Sequence, residues 1–381
     1  MRGPEEKQST MFAVVSPSSI VPDDHPLRQI KERADAALRD MSALFDVMYA
    51  ATGRASIPPE TLLKSQLLIA LYSVPSERQL CEQLRYNFLF RWFLDMDMTS
   101  PPFDATTFGK NRERLLAHDA CKAFFAKVIE QADAEGLLSR EHFSVDGSLI
   151  EAWASMKSFV PKDGSGDDEP RNPKRGTGGA GGKGGKGRIK KRKDRNAWKD
   201  FSGTSRSNET HASTTDPEAR LARKGNGQES RLSFSLHALM ENRSGLLRDF
   251  RVELATGTAE RDVAEEMLWG LPGSYRVTVG GDKGYDTKDF AAACKEIGAT
   301  PHVAQNVHAH RSSAIDERTT RHIGYRLSLR ARMFIESIFG WVKTKGGLRR
   351  TRFKGRERTQ MYAHMTGAAY NLLRMSKLAP A

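Results

Sequence analysis

The sequence has few cysteines and no long apolar run, and these two absences exclude several classes of protein. Cys81, Cys121 and Cys294 are isolated from one another and odd in number, so neither a disulfide framework nor a zinc site is predicted. No apolar run approaches the length of a membrane span, and the first residues lack the pattern of a signal peptide. We therefore expect a protein of the reducing cytoplasm that has no membrane partner.

Positive charge, by contrast, is in excess. The 381 residues carry a net charge of +13, and residues 171–195 hold eleven lysines or arginines against the single acid Asp194. Such a balance indicates a polyanionic partner such as nucleic acid, although charge alone does not indicate an enzyme. The length allows two or three domains.

Three acidic residues lie in contexts that suggest a metal site. Asp146 follows Phe-Ser-Val in an apolar strand pattern, Asp282 ends the strand pattern Val-Thr-Val-Gly-Gly, and Glu336 lies on a helix flanked by basic residues. Carboxylates delivered by two strands and a helix can hold two Mg²⁺ ions, which clamp both oxygens of a phosphoryl displacement. In a chain this basic, the phosphate is expected to be that of DNA.

The helix that carries Glu336 is amphipathic. Arg332, Glu336 and Lys343 fall within roughly 40° of one another around the helix axis. The opposite side is formed by Phe334, Ile335, Ile338, Trp341 and Val342. A solvated Arg–Glu pair is the alternative interpretation of this polar stripe. The glycine-containing basic segment that follows favours DNA contact, and it includes Lys345, Arg349 and Arg350.

Taken together, these motifs resemble the DDE transposases of bacterial insertion sequences, specifically the insertion-sequence-five branch. The resemblance runs from about Val21 to Leu373, and the spacing of Arg332, Glu336 and Lys343 matches the arginine–glutamate–lysine signature of that family. The family's tyrosine, three residues before the arginine, is replaced here by Leu329. Tyr325, one helical turn earlier, is considered as a substitute for it.

This resemblance implies a mechanism and a set of partners. Asp146, Asp282 and Glu336 would be the catalytic residues and would hold two Mg²⁺ ions, with Mn²⁺ as a substitute. Arg332 and Lys343 would contact phosphates near the scissile bond. A homodimer would bind double-stranded DNA at the inverted terminal repeats of its element, cut a strand to free a 3′-hydroxyl and join it to target DNA. Its place would be the bacterial cytoplasm, associated with the nucleoid.

The amino-terminal third has a helical pattern. Residues 1–24 show no periodicity and are predicted to be disordered, and residues 25–138 are predicted to form an all-helical DNA-binding domain. Its last helix starts near Asp104 and is expected to expose a basic face for DNA, formed by Lys110, Arg112 and Arg114. An ordinary helical domain with a solvated last helix is the alternative.

Strand patterns begin near residue 139. Their order of strand, hairpin, helix, strand, helix, strand and helix predicts an α/β fold with a mixed sheet, a ribonuclease-H-like catalytic domain over residues 139–356. Residues 157–210 are predicted to interrupt it as a basic, glycine-rich, flexible insertion, and residues 357–381 to form a carboxy-terminal helix and tail. Two further acids, Asp262 and Glu266, are interpreted as a solvated helix face.

Two other functions are compatible with the same motifs. The first is a non-catalytic, ribonuclease-H-like DNA-binding protein, which the presence of all three acids disfavours. The second is a DNA nuclease that hydrolyses strands without joining them. The predicted helical reader domain and the basic tail favour the transposase, because a plain nuclease needs less recognition of DNA ends.

Overall fold

The computed structural model describes residues 16–49, 52, 56–163, 206–225, 227–271, 276–307 and 312–378. The helices are α1 Pro17–Ile20, α2 Pro26–Arg39, α3 Ser42–Met48, α4 Pro59–Leu71, α5 Glu77–Gln83, α6 Phe88–Phe93, α7 Ala105–Ala117, α8 Ala120–Ala134, α9 Ala259–Trp269, α10 Lys288–Ile297, α11 Glu317–Thr320, α12 Ile323–Ala331, α13 Met333–Thr344 and α14 Arg356–Leu378. The strands are β1 His142–Glu151, β2 Phe159–Pro161, β3 His211–Ser213, β4 Arg220–Ala222, β5 Arg231–Glu241, β6 Leu247–Leu254, β7 Val277–Gly281 and β8 Ala299–Val303.

The central sheet is mixed, and it confirms the predicted fold class. Strand β1 pairs antiparallel with β5 on one side and parallel with β7 on the other, and β7 continues parallel to β8. Strands β4 and β6 pair antiparallel with successive stretches of β5, β4 with residues 231–233 and β6 with residues 234–240. The strand order β6-β5-β1-β7-β8, with helices between the parallel strands, is that of a ribonuclease-H-like α/β domain, and a helical region precedes it.

The two faces of this sheet pack against different helices, because side chains alternate along each strand. Phe143 and Val145 of β1 form one hydrophobic cluster with Val263 of α9. The opposite face of the sheet, which includes Ala238 of β5, packs in a second cluster with Ile338 of α13. Strand β1 therefore lies where α9 and α13 approach the sheet from opposite sides.

The helical region and the sheet share a core. Leu62 of α4, Phe124 of α8, Phe250 of β6 and Leu372 of α14 are all fully buried in the same cluster. Helix α14 contacts α2, α4 and α8 as well as β6. It is thus a central packing element, and the predicted boundary at residue 357 does not separate it from the rest of the chain.

Two other predicted boundaries differ from the structure. Within the segment predicted to be disordered, residues 17–20 form α1, and Val21 is buried. At the ends of the predicted insertion, β2 pairs antiparallel with β3, so residues 159–161 and 211–213 close a two-stranded sheet. These strands are too short to show a period in the sequence. Most of the insertion, including residues 171–195, lies outside the described residues.

Within the described part of the chain, no helix is both long and apolar enough to cross a bilayer.

Candidate active site

The sheet brings the two predicted aspartates together. Parallel pairing of β1 and β7 sets Ser144 beside Gly280. Asp146 and Asp282 each lie two residues beyond that pair, so they project from neighbouring strands at the same level. The Asp146 carboxylate accepts a hydrogen bond from the backbone N–H of Gly147 at 2.8 Å. The Asp282 carboxylate accepts one from Gly284 N–H at 2.7 Å, which caps a short 3₁₀ turn.

The third predicted acid comes from the helical layer over this position. The predicted single helix is interrupted at Arg332, the residue between α12 and α13, and Glu336 lies exposed in the first turn of α13. Gly280 allows α12 to lie close to β7, because a Cβ at this position would be 2.8 Å from Ser144 Oγ and 3.4 Å from the Ser328 carbonyl oxygen. Asp146, Asp282 and Glu336 all line one cavity of about 830 Å³.

Three predicted DNA-contacting residues line the same cavity: Arg332, Lys343 and Arg349. Lys343 Nζ donates a hydrogen bond to Ser148 Oγ at 2.6 Å, which fixes it two residues from Asp146 along β1. Burial lowers the pKa of Lys343, and the positive charges of neighbouring basic residues act in the same direction. Arg332 Nε is buried and has no hydrogen-bond partner among the described residues. Both cations therefore line the same cavity as the acids, and the charge of Arg332 acts to lower the pKa of Asp146.

The carboxylates perturb one another. Burial raises the pKa of Asp146 to about 6, and the negative charges of Asp282 and Glu260 add to the increase. The Gly147 hydrogen bond and the Arg332 charge oppose it. Burial and the charge of Asp282 likewise raise the pKa of Glu260. Clustered carboxylates of this kind are stabilised by an opposite charge between them.

The donor atoms suit a hard divalent cation, which prefers carboxylate oxygens. Within the described ranges, however, no three His, Cys, Asp or Glu side chains stand close enough together to hold a metal ion as they are placed. Glu336, on the exposed surface of α13, and Asp146, on the sheet, face the cavity from different elements. The site therefore fits the cation by its chemistry, and ligation requires the acidic side chains to draw together.

Glu260 is the residue that sequence reasoning missed. It lies in the first turn of α9 and lines the cavity with the three predicted acids. The acids that were considered on this helix, Asp262 and Glu266, are exposed, and Glu266 forms an ion pair with Arg251 at 3.0 Å. Nothing local distinguishes Glu260 from these neighbours, because its position depends on how α9 crosses β1.

The remaining predicted DNA contacts lie away from this cavity. On α7, Lys110 is exposed. The side chain of Arg112 is only 16% exposed and pairs with Glu77, and Arg114 packs over the Tyr49 ring at 4.5 Å. The expectation that α7 exposes Arg112 is therefore wrong, because Glu77, 35 residues earlier in the chain, neutralises it.

In the basic segment after α13, Arg349 lines the cavity, whereas the other two predicted DNA contacts do not. Lys345 and Arg350 are exposed but do not line the cavity. Arg350 stacks over the Trp153 ring at 5.4 Å and donates a hydrogen bond to the Trp153 carbonyl at 2.8 Å. Arg350 thus ties this segment to the end of β1, while Lys345 is left toward solvent.

One prediction about the helices near Glu336 is wrong. Phe334, assigned to the apolar side, is 58% exposed, because it lies at the edge of the stripe in the first turn of α13. Ile335, Ile338 and Val342 are fully buried as expected. Tyr325, considered as a substitute for the family tyrosine, does not line the cavity, and its hydroxyl donates a hydrogen bond to the buried Val303 carbonyl at 2.9 Å.

The similarity of the chain to individual known proteins is weak. No curated protein is significantly similar to the chain in sequence. Two solved structures, described as "Mos1 transposase paired-end complex with left transposon end" and "Crystal structure of a pre-cleavage Mos1 transpososome", share 10% and 9% identity with it. Each alignment covers 86% of this chain and 82% of the other, with TM-scores of 0.19 and 0.16, which are too low to bear on fold or activity.

Family models give the assignment. Residues 15–114 match the model described as "Transposase domain (DUF772)". Residues 209–372 match "Transposase DDE domain", a span that includes Asp282 and Glu336 and begins after Asp146. The chain therefore contains a transposase domain of the DUF772 type followed by a transposase DDE domain.

Proposed function

We propose that this chain is a DDE transposase of the insertion-sequence-five branch. In this proposal it binds the inverted terminal repeats of its element, cleaves DNA at the element ends and joins the freed 3′-hydroxyls to target DNA. The observation that carries the proposal is the convergence of Asp146, Asp282 and Glu336 on one cavity, beside Arg332 and Lys343. The match to a transposase DDE domain supports the same reaction class.

Each acid has a role in this proposal. Asp146, Asp282 and Glu336 would hold Mg²⁺, in two ions, and Mn²⁺ would substitute. When bound, such ions polarise the scissile phosphate and lower the pKa of a bound water. Because Asp146 and Asp282 lie on the rigid sheet and Glu336 on a helix, the two aspartates would set the position of the site and the glutamate would complete it.

The basic residues would orient the DNA. The Arg332 guanidinium and the Lys343 ammonium, which both line the cavity, can donate to non-bridging phosphate oxygens next to the acids. Arg349 at the cavity rim and the exposed Lys345 and Lys110 would extend the contact along the backbone, where charge neutralisation releases counterions. Their spread over two regions of the chain suits a duplex rather than a single nucleotide.

The proposal includes a dimer on DNA. An insertion sequence has two ends related by inverted repeats, and two copies of the chain related by a twofold axis would present two identical cavities to them. Each copy would then cut and join one end.

The proposal is tested by cleavage of a duplex that carries the inverted repeats flanking the gene. With Mg²⁺, the wild type should nick at the repeat end, whereas Asp146→Asn, Asp282→Asn and Glu336→Gln should bind the duplex and leave it intact. Asp262→Asn, an exposed acid on α9, is the matched control and should cleave normally.

The outcomes separate the alternatives. Binding by the wild type with no cleavage would indicate the non-catalytic DNA-binding protein. Cleavage without any joined product would indicate the hydrolytic nuclease. Retention of cleavage in one of the three acid variants would remove that residue from the site.

A further inference from the structure

Basic residues from three segments of the chain line the cavity that also holds the acids. They lie after β4, on α13 and in the segment after α13, and we call them the basic wall: Arg223, Lys224, Lys343 and Arg349. Burial lowers the pKa of Lys343, and the positive charges of Lys224 and Arg349 add to the decrease. These three cations are therefore close enough to act on one another, although like charges repel.

The basic wall has no acidic partner among the described residues. The Lys343 ammonium donates to Ser148 Oγ at 2.6 Å, and the side chains of the other three form no hydrogen bond or ion pair within that part of the chain. An acid is available nearby, because Arg231, which lies opposite Ala222 on the neighbouring strand β5, pairs with Glu151. Solvation alone would account for one exposed cation, but it does not explain why several line one cavity without a counter-charge.

Hydrogen bonds to the backbone attach two of these segments to the sheet. The Asn208 side-chain amide bonds both the N–H and the carbonyl of Leu221, at 2.7 and 3.0 Å, so the edge strand β4 is held just before Arg223. The Arg349 carbonyl accepts a hydrogen bond from Glu151 N–H at 3.1 Å, which joins the segment after α13 to the end of β1. The basic wall is thus attached to the same sheet that carries the aspartates.

The basic wall follows the acids along the direction of β1. Ser148, which Lys343 contacts, is two residues beyond Asp146, and Glu151, which contacts Arg349, is five residues beyond it. At about 3.3 Å for each residue, these points lie about 7 and about 17 Å from Asp146. Successive base pairs of DNA are about 3.4 Å apart along the helix axis, so the wall corresponds to about two to five base-pair steps.

We propose that the basic wall is a second phosphate subsite, which binds the backbone of the element-end duplex about two to five base-pair steps from the scissile phosphate. Charge complementarity identifies the ligand, because unpaired cations spread over about 10 Å suit a row of phosphates and not one small anion. Arg223 and Lys224 thereby join Lys343 and Arg349 as DNA contacts. The inference rests on the proposed function, since that function places the scissile phosphate at the acids.

The test is fluorescence anisotropy of the full chain with the element-end duplex at increasing KCl concentrations. Each neutralised phosphate contributes about 0.9 to the slope of log affinity against log salt, so Arg223→Ala and Lys224→Ala should each lower that slope by about 1. Arg223→Lys and Lys224→Arg keep the charge and should retain the wild-type slope. Lys295→Ala removes an exposed charge of α10 outside the cavity and should leave the slope unchanged.

A neutral methylphosphonate, placed in turn at each phosphate of the duplex, locates the subsite. The wild type should lose affinity when the substitution lies about two to five steps from the repeat end, and the double variant Arg223→Ala/Lys224→Ala should lose clearly less. Equal losses in both proteins, or wild-type salt slopes in the two alanine variants, would overturn the inference, while cleavage by the wild type would still support the proposed function. If the slopes fall but the wild type cuts no end, the subsite stands and the proposed function fails.

Discussion

The charge on Asp146 should make the metal-free protein less stable as the pH rises. The pKa of Asp146 in the folded protein is about 6, against 3.8 for an unperturbed aspartate. A difference of about 2, at about 1.4 kcal/mol for each pH unit, corresponds to about 3 kcal/mol. The residue is partly exposed, so solvent screening makes this figure an upper bound.

The sign follows from proton linkage. Because the folded state holds the Asp146 proton more tightly than the unfolded state, folding is favoured at low pH and this advantage is lost as the pH rises from about 4 to above 6. Asp146→Asn carries no charge at any pH. In EDTA, the variant should melt close to the wild type at pH 4 and several degrees above it at pH 8.

Melting curves at half-unit pH steps from 4 to 8, with and without Mn²⁺, measure the effect. Added Mn²⁺ should raise the wild-type melting temperature at pH 8 and leave that of Asp146→Asn nearly unchanged, since ligand binding stabilises only a state that binds it. A difference in melting temperature between the two proteins that stays constant with pH would refute the reasoning, because Asp146 would then be ionised normally.

Three further predictions concern packing and DNA contact. Ile338→Ala, at a fully buried position of α13, should cost roughly 2–5 kcal/mol in chemical denaturation, whereas Arg332→Ala should leave stability nearly unchanged and lower cleavage in a gel assay. Asn371→Ala should cost at least about 2 kcal/mol, because the Asn371 side chain bonds both the N–H and the carbonyl of Leu247 at 2.9 Å on the edge strand β6; an unchanged midpoint would show that water replaces it. Deleting residues 171–195 should reduce DNA affinity and flatten its salt dependence in fluorescence anisotropy.

The fold and the two aspartates of the candidate active site could be predicted from the sequence, because both are encoded locally. The strand patterns around Asp146 and Asp282 are read from alternation and from flanking glycines, and the parallel pairing of β1 with β7 follows from the order of the elements. Glu336 was found through its helical spacing to Arg332 and Lys343. In each case the information lies within about ten residues of the acid.

What could not be predicted depends on contacts between distant segments. Glu260 reaches the site because α9 crosses β1 at Gly147, more than one hundred residues away in the chain. The ion pair of Arg112 with Glu77 could not be predicted, because Glu77 belongs to another helix. The packing partners of α14 could not be predicted either. An apolar stripe shows that a helix is buried, but it does not show which elements bury it.

Strand joining is the measurement that tests the central claim most directly. A pre-cut duplex with a free 3′-hydroxyl at the element end is incubated with supercoiled plasmid, Mg²⁺ and either the wild type or Glu336→Gln. The wild type should convert the plasmid to joined products that carry the duplex label, and the variant should form none. Absence of labelled product with the wild type, or equal product with both proteins, would contradict the assignment of this cavity as the active site of a transposase.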